Sequence, residues 1–259
     1  MNGLFVTKII ETREENKNIK TLMFNYPEKI NPGQFFMIWI PQIDEIPMSV
    51  SYINNNIKGI TFKKVGDATK SLYNLDVEDK IGIRGPYGKG FEIKGGKILF
   101  VGGGTGIAML APAIEEAVTK NISSIAIIGV KNYNELFFED RLKKSSVKLY
   151  VSTDDGSKGY CGYASDLAEE LIVKTKFSSI LTCGPEIMMK KLFDVPVNIS
   201  FQASLERYMK CGVGICSQCC IGNGLRVCVE GPVFGRDVLK NVKDFGFYKR
   251  DASGGKIDL

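Results

Sequence analysis

The 259-residue sequence contains no histidine. That absence excludes imidazole acid/base chemistry, serine–histidine nucleophiles and every metal site with imidazole ligands. It also excludes a Rieske-type cluster, one of whose irons takes two histidines. Long hydrophobic runs are lacking as well. The most apolar stretch, Ile98 to Ile114, is broken by Gly102-Gly103-Gly104 and Gly106 and followed by Glu115-Glu116, whereas a membrane span needs about 20 apolar residues. Residues Met1 to Lys8 show no basic region followed by an apolar one, so they do not read as a signal peptide. A cytoplasmic protein without membrane contact is expected. Charge of one sign is not in excess: 34 basic residues face 29 acidic ones, for a net +5. No Lys/Arg run interleaved with aromatics occurs, which argues against nucleic-acid binding.

What is present is enough apolar material, 44%, for two ordinary domains or one large one. Three regions follow one another. Residues 1–94 hold short β-rich runs, Phe5 to Ile10, Ile19 to Phe24 and Phe35 to Ile40, with turns at Asn31-Pro32-Gly33 and Arg84 to Gly88. This spacing predicts a small antiparallel barrel. Residues 95–200 alternate strands (97–101, 124–130, 147–153, 179–183) with helix-like stretches (108–120, 134–143, 166–174). That order predicts an α/β domain with a parallel sheet and a nucleotide-binding logic. In residues 201–259 the periodicity fades and cysteines take over.

Seven cysteines in a chain of this kind point to metal or redox chemistry rather than a disulfide framework. Five of them fall within eighteen residues, spaced Cys211-x4-Cys216-x2-Cys219-x8-Cys228, with Cys220 beside Cys219. The first three match the C-x4-C-x2-C pattern of plant-type [2Fe-2S] proteins, with a fourth ligand further on. Ferric ions want thiolates, and two sulfide-bridged irons need two thiolates each. Zinc sites pair cysteines as two short clips, which this spacing does not reproduce. Spacing alone does not choose between Cys219 and Cys220. A glycine loop, Gly102-Gly103-Gly104-Thr105-Gly106, lies between a predicted strand and helix, where a backbone can approach a pyrophosphate. It departs from G-x-G-x-x-G at Ile107, and no acid ends the next strand. A second strand-to-helix turn runs Cys183-Gly184-Pro185.

In order, Pro47-Met48-Ser49, Gly66 to Leu72, Gly85 to Phe91, Gly102 to Ala108 and Cys183 to Pro185 resemble the motifs of the ferredoxin–NADP reductase superfamily. The stretch Ser204 to Cys216, closing with Cys228 to Phe234, resembles one branch of it, the electron-transfer subunits of NAD-dependent dihydroorotate dehydrogenase B. The resemblance implies an antiparallel FAD-binding β-barrel, an α/β nicotinamide-binding domain and a small C-terminal [2Fe-2S] domain. It assigns FAD to Pro47, Met48, Ser49, Val50, Phe62, Lys63, Lys64, Gly66, Ala68 and Thr69. It assigns NAD to Gly102, Gly103, Gly104, Thr105, Gly106, Cys183, Gly184 and Pro185. The cluster goes to Cys211, Cys216, Cys219 and Cys228, leaving Cys220 as a neighbour. No side chain acts as a general acid or base.

The same resemblance implies a partner, an FMN-bearing dihydroorotate dehydrogenase catalytic subunit, in a heterotetramer of two plus two. Electrons from that FMN reach NAD⁺ through the cluster and FAD, since FAD alone handles both single electrons and hydride. The family's flavin-motif arginine falls on Ile46 here, and Lys63 or Lys64 is expected to supply the missing positive charge. A diaphorase subunit of a hydrogenase, of a sulfur or sulfide reductase, or of a ferredoxin:NADP oxidoreductase uses the same scaffold.

Overall fold

The computed structural model describes residues 3–259. Six antiparallel strands, β1 (Phe5–Asn16), β2 (Ile19–Asn25), β3 (Phe35–Ile40), β4 (Asp44–Asn54), β5 (Ile57–Lys63) and β6 (Lys80–Tyr87), close into a barrel in the order β1-β2-β5-β4-β3-β6. A short helix, α1 (Asp67–Tyr73), joins β5 to β6. Leu22, Phe24, Phe36, Ile38, Val50 and Ile60 fill the interior. Side chains alternate along a strand, so if Phe36 and Ile38 point inward, Phe35 and Met37 point outward. Both are nevertheless buried, at 2% and 0% exposure, because the rest of the chain packs over this wall of the barrel. Burial of each contributes about 1.5–3 kcal/mol.

The strand register defines that wall. Pro47 lies opposite Met37, and Met37 opposite Arg84; Ser49 lies opposite Phe35, and Phe35 opposite Tyr87. Directly paired residues share a face. Two outward rows therefore cross three strands, Pro47–Met37–Arg84 and Ser49–Phe35–Tyr87.

The second unit is built on β7 (Ile98–Gly103), α2 (Gly106–Thr119), β8 (Ser124–Val130), α3 (Glu139–Lys144), β9 (Lys148–Thr153), β10 (Tyr160–Cys161), α4 (Ala164–Lys174), β11 (Ser179–Cys183), α5 (Glu186–Asp194) and β12 (Ser200–Ser204). The cysteine-rich segment adds β13 (Cys220–Ile221), β14 (Leu225–Arg226), β15 (Val233–Gly235), α6 (Arg236–Leu239) and a terminal hairpin, β16 (Tyr248–Arg250) with β17 (Lys256–Asp258). The central sheet runs β10-β9-β8-β7-β11-β12-β15, parallel except for β15. The cysteine-rich segment thus supplies the antiparallel edge strand of the nucleotide sheet. Its Cys219, Ile221, Val227, Cys228 and Phe245 share one core with Ile180, Leu192 and Phe201 of the sheet layer and with Phe35 and Met37 of the barrel. A buried ion pair reinforces the joint. Arg207 donates to both Glu186 oxygens, at 2.5 and 3.0 Å, and Glu186 also accepts the Gly246 N–H at 2.9 Å.

One helix departs from its sequence pattern. Instead of a continuous helix over 134–143, Tyr133–Glu135 forms a single 3₁₀ turn capped by the Asn132 side chain. The chain then extends through Leu136, and Phe138 takes a left-handed φ of 64° before α3 begins. Tertiary packing overrides local propensity here. Phe138 meets Tyr52 of the barrel edge-on at 5.8 Å, and Arg141 stacks over the Tyr52 ring at 3.4 Å while pairing with Glu115. No helix among the described residues is long and apolar enough to cross a membrane.

Candidate nucleotide, flavin and cluster sites

The order of strands reverses between β7 and β11, which lie side by side with Gly102 opposite Cys183. In open parallel sheets, ligands occupy the crevice at the carboxyl ends of the strands beside such a reversal. Both glycine turns of the sequence end there. They are pressed together so closely that side chains do not fit: a Cβ on Gly103 lies 2.7 Å from Pro185 Cδ, and one on Gly184 lies 2.8 Å from the Gly103 Cα. A Cβ on Gly106 overlaps the Cys183 carbonyl. Gly104, with φ of 54°, has open space in front of it, and α2 starts two residues later. This is a backbone cradle facing a helix N-terminus, the chemistry a pyrophosphate requires. Cys183 is fully buried, and burial, with the Glu206 carboxylate nearby, pushes its thiol well up. It is a neutral thiol.

The flavin-motif residues lie on β4, at the end of β5 and around α1. Pro47 and Ser49 belong to the outward rows, whereas Met48 and Ile46 pack toward the barrel core. The departure at position 46 is thereby accommodated, since an isoleucine suits a wall that an arginine would have to leave. Val50 and Phe62 are buried. Thr69 closes its own loop, accepting the N–H groups of Val65 and Gly66 and donating to the Gly66 carbonyl. Ala68 packs beside the barrel core. The two expected cations are both engaged: Lys63 pairs with Glu135 at 3.2 Å, and Lys64 stands 4.2 Å over the Tyr73 ring.

The cysteine loop sits on the other end of the same outward rows. Gly212 has φ of 71°, and a Cβ there lies 2.7 Å from Met37 Cγ and 3.4 Å from Tyr87. Only glycine meets both conditions. Among the described residues no three Cys, His, Asp or Glu donors meet at one ion-sized point. Cys211 interacts with Cys216, and Cys219 with Cys228, whose N–H its Sγ accepts at 3.4 Å. A two-plus-two division of this kind fits a bridged di-iron cluster. Burial disfavours the Cys211 thiolate, but the N–H groups of Cys216, Val213 and Ile215 and the Cys216 thiol outweigh it and pull the group down to about 6. Cys228 is pushed up to about 12 by burial and by the adjoining Cys219 sulfur. Cys220 Sγ donates to the Gly224 carbonyl at 3.9 Å. Cys219 and Cys228 are buried while Cys216 is exposed, next to Ile215 at 79% exposure.

Sequence reading missed Arg84, Tyr87, Glu186 and Arg207 as parts of these sites. Arg84 precedes the Gly85-to-Phe91 motif and Tyr87 lies inside it, Glu186 follows Cys183-Gly184-Pro185 directly, and Arg207 lies inside the Ser204-to-Cys216 stretch. Position beside or within a motif was the only local signal.

The family described as the iron-sulfur cluster binding domain of dihydroorotate dehydrogenase B matches residues 206–240. A Methanocaldococcus jannaschii protein, described as a probable dihydroorotate dehydrogenase B (NAD(+)) electron transfer subunit, is 45% identical over 255 residues, covering 97% of each chain. A Pyrococcus furiosus protein with the same description is 37% identical, covering 95% of this chain and 96% of its own. Among solved structures, an NADH-dependent reduced ferredoxin-NADP oxidoreductase is 27% identical, with a TM-score of 0.81 over 93% of this chain and 94% of that one. The FAD/NAD-binding domain of a Vibrio cholerae nitric oxide dioxygenase shares the fold, with a TM-score of 0.67 over 76% of this chain and 97% of its own at 17% identity. With the barrel, the switch-point cradle and the paired cysteines in place, the chain belongs to the electron-transfer subunits of NAD(+)-dependent dihydroorotate dehydrogenase B, oxidoreductases built on the ferredoxin–NADP reductase fold.

Proposed function

We propose that three residue sets divide the cofactors. Cys211, Cys216, Cys219 and Cys228 hold the [2Fe-2S] cluster. Pro47, Ser49, Lys63, Lys64, Gly66 and Thr69 line the FAD site, and Met48, Val50, Phe62 and Ala68, whose side chains pack in or against the barrel core, offer it backbone. Gly102 to Gly106 with Cys183, Gly184 and Pro185 receive NAD. On this reading, residues 1–94, 95–200 and 201–259 serve FAD, NAD and the cluster in turn. The shared outward wall of the barrel carries the reading, because it sets the flavin motif and the cysteine loop on one surface only two strand spacings apart.

When bound, the cofactors link single-electron traffic at the cluster to hydride exchange with NAD⁺. The chain's own residues place them. Ser49 presents its hydroxyl beside Phe35, the glycine cradle admits a dinucleotide backbone to backbone, and the buried, neutral Cys183 supports that cradle from beneath. None needs to carry a proton, in keeping with a chain that has no histidine.

The partner is an FMN-containing dihydroorotate dehydrogenase catalytic subunit, in a cytoplasmic heterotetramer of two plus two. Exposed Ile215 and Cys216, with Val229 nearby in sequence to the last ligand, form an apolar rim of the kind found at the centre of protein interfaces. The structural likeness to the ferredoxin-NADP oxidoreductase favours a second reading: this chain serves a different companion subunit, docked on the same rim.

The test is to purify the chain anaerobically with its bound companion and assay dihydroorotate-dependent NAD⁺ reduction, with iron, sulfide and flavins quantified on the same sample. Activity with about two irons per chain, FAD on this subunit and FMN on the companion supports the reading. A loaded complex that ignores dihydroorotate overturns the partner assignment in favour of the second reading.

A further inference from the structure

Four observations converge on Arg84. Its guanidinium forks onto Glu45, at 2.6 Å from Nε and 2.6 Å from Nη2. It lies 5.9 Å over the Tyr87 ring and reaches the Tyr87 hydroxyl at 3.4 Å. Its Nη2 donates to the Cys211 carbonyl at 3.2 Å, across 127 residues of sequence. Finally, Arg84 stands in the same outward row as Met37 and Pro47, and Met37 is the side chain on which Gly212 rests.

We propose that Arg84 is a positioning residue for electron transfer: held by Glu45, it clamps the peptide of Cys211 to the barrel wall and so fixes the distance between the cluster and the flavin. The proposal rests on the assignment of cofactors above. An arginine suits the task because its planar fork satisfies a carboxylate with one edge while another N–H remains free for a carbonyl. The neighbouring anchors cannot replace it. Met37 and Tyr87 meet Gly212 through apolar atoms, which resist compression but do not fix lateral position, and the Lys89 N–H donates to the Gly231 carbonyl, beyond the last ligand and outside the loop. Arg226 holds the Gly214 carbonyl at 3.2 Å, yet it belongs to the cysteine-rich segment itself and moves with the loop. Arg84 is thus the charged link from barrel to cluster loop, and Glu45 sets its rotamer. From Pro47 to Arg84 the row crosses two strand spacings, roughly 10 Å, so a loop released by even a few ångströms changes the gap appreciably. The redox step concerned makes and breaks no bond. Each hydride from NADH brings two electrons to the flavin, and these leave one at a time toward the cluster.

The experiment compares the complete complex carrying wild-type chain, Arg84→Met, Arg84→Lys and Glu45→Gln. NADH is mixed anaerobically with each, and flavin bleaching and cluster reduction are followed separately by absorbance and freeze-quench EPR. Amide hydrogen exchange of residues 211–218 is measured in the iron-free chain. For Arg84→Met, flavin reduction keeps its wild-type rate, cluster reduction slows at least tenfold, and exchange in the loop rises. Arg84→Lys recovers part of the loss, and Glu45→Gln falls between. Cluster reduction at the wild-type rate in Arg84→Met overturns the proposal, as does equal slowing of both phases. Should Arg84→Met lose its iron, Glu45→Gln decides by the same two criteria. If NADH fails to bleach the flavin even in the wild-type complex, the cofactor assignment has failed instead.

Discussion

The switch point and the cluster loop are both glycine-rich, yet glycine serves each for a different reason. At the switch point Gly103 and Gly106 lie outside the left-handed region and are constrained by space, where two strand-to-helix turns touch backbone to backbone, while Gly104 and Gly184 add φ of 54° and 149°. In the cluster loop Gly212 and Gly214 sit at φ of 71° and 79°, so the backbone itself is left-handed, and its N–H groups turn inward on Cys211. One site is a cradle made chiefly by close contact. The other is a nest in which left-handed backbone and close contact coincide, as at Gly212. The cradle suits a diffusible anion that comes and goes, the nest a fixed anionic centre.

The sharpest separation of the two regions comes from removing a ligand. Cys219→Ala is expected to reduce iron to background while FAD and NAD⁺ binding persist, measured by iron and flavin content and by NAD⁺ titration. Next in size is a change that couples them. Glu186→Ala strips the partner from buried Arg207, at 3% side-chain exposure. Breaking such a pair costs about 3–5 kcal/mol, a fall of roughly 10 °C in Tm for a chain of this size, read by calorimetry, and both sites weaken together. Gly106→Ala forces a methyl into the Cys183 carbonyl; overpacking of this kind costs about 1–3 kcal/mol. NAD⁺ affinity should fall about tenfold with iron content unchanged.

Gly212→Ala imposes left-handed strain of about 1–2 kcal/mol plus a clash with Met37. Its expected signature is faster iron loss to a chelator with NAD⁺ affinity intact. The smallest effect is in the iron-free chain. With a pKa of about 6, Cys211 is mostly thiolate at pH 7 and becomes inert as pH falls below 6, whereas Cys228, near 12, stays protonated throughout. Iodoacetamide mapping by mass spectrometry should label Cys211 well before Cys228.

Much of this architecture was legible from local pattern. Alternation marked the barrel strands, the strand–helix rhythm marked the parallel sheet, and Cys-x4-Cys-x2-Cys marked the segment that matches the iron-sulfur cluster binding family, because each feature depends on near neighbours in sequence. Arg84 was not legible, since its role is created by a contact with Cys211 on a distant segment. The seam between the second and third regions was hidden for the same reason. Ser200–Ser204 and Val233–Gly235 lie in one sheet with an antiparallel edge that no periodicity announces. Phe138 shows the converse, a helical-looking stretch interrupted because Tyr52 and Arg141 hold that ring in place.

The central claim is that this subunit has a two-electron end at FAD and NAD and a one-electron end at the cluster. Cys216→Ala in the purified complex tests it most directly, with NADH oxidation by an artificial two-electron acceptor and dihydroorotate-dependent NAD⁺ reduction measured on the same preparation. The account predicts that the first activity survives and the second disappears. Loss of both with FAD still bound, or survival of both with the cluster gone, contradicts it.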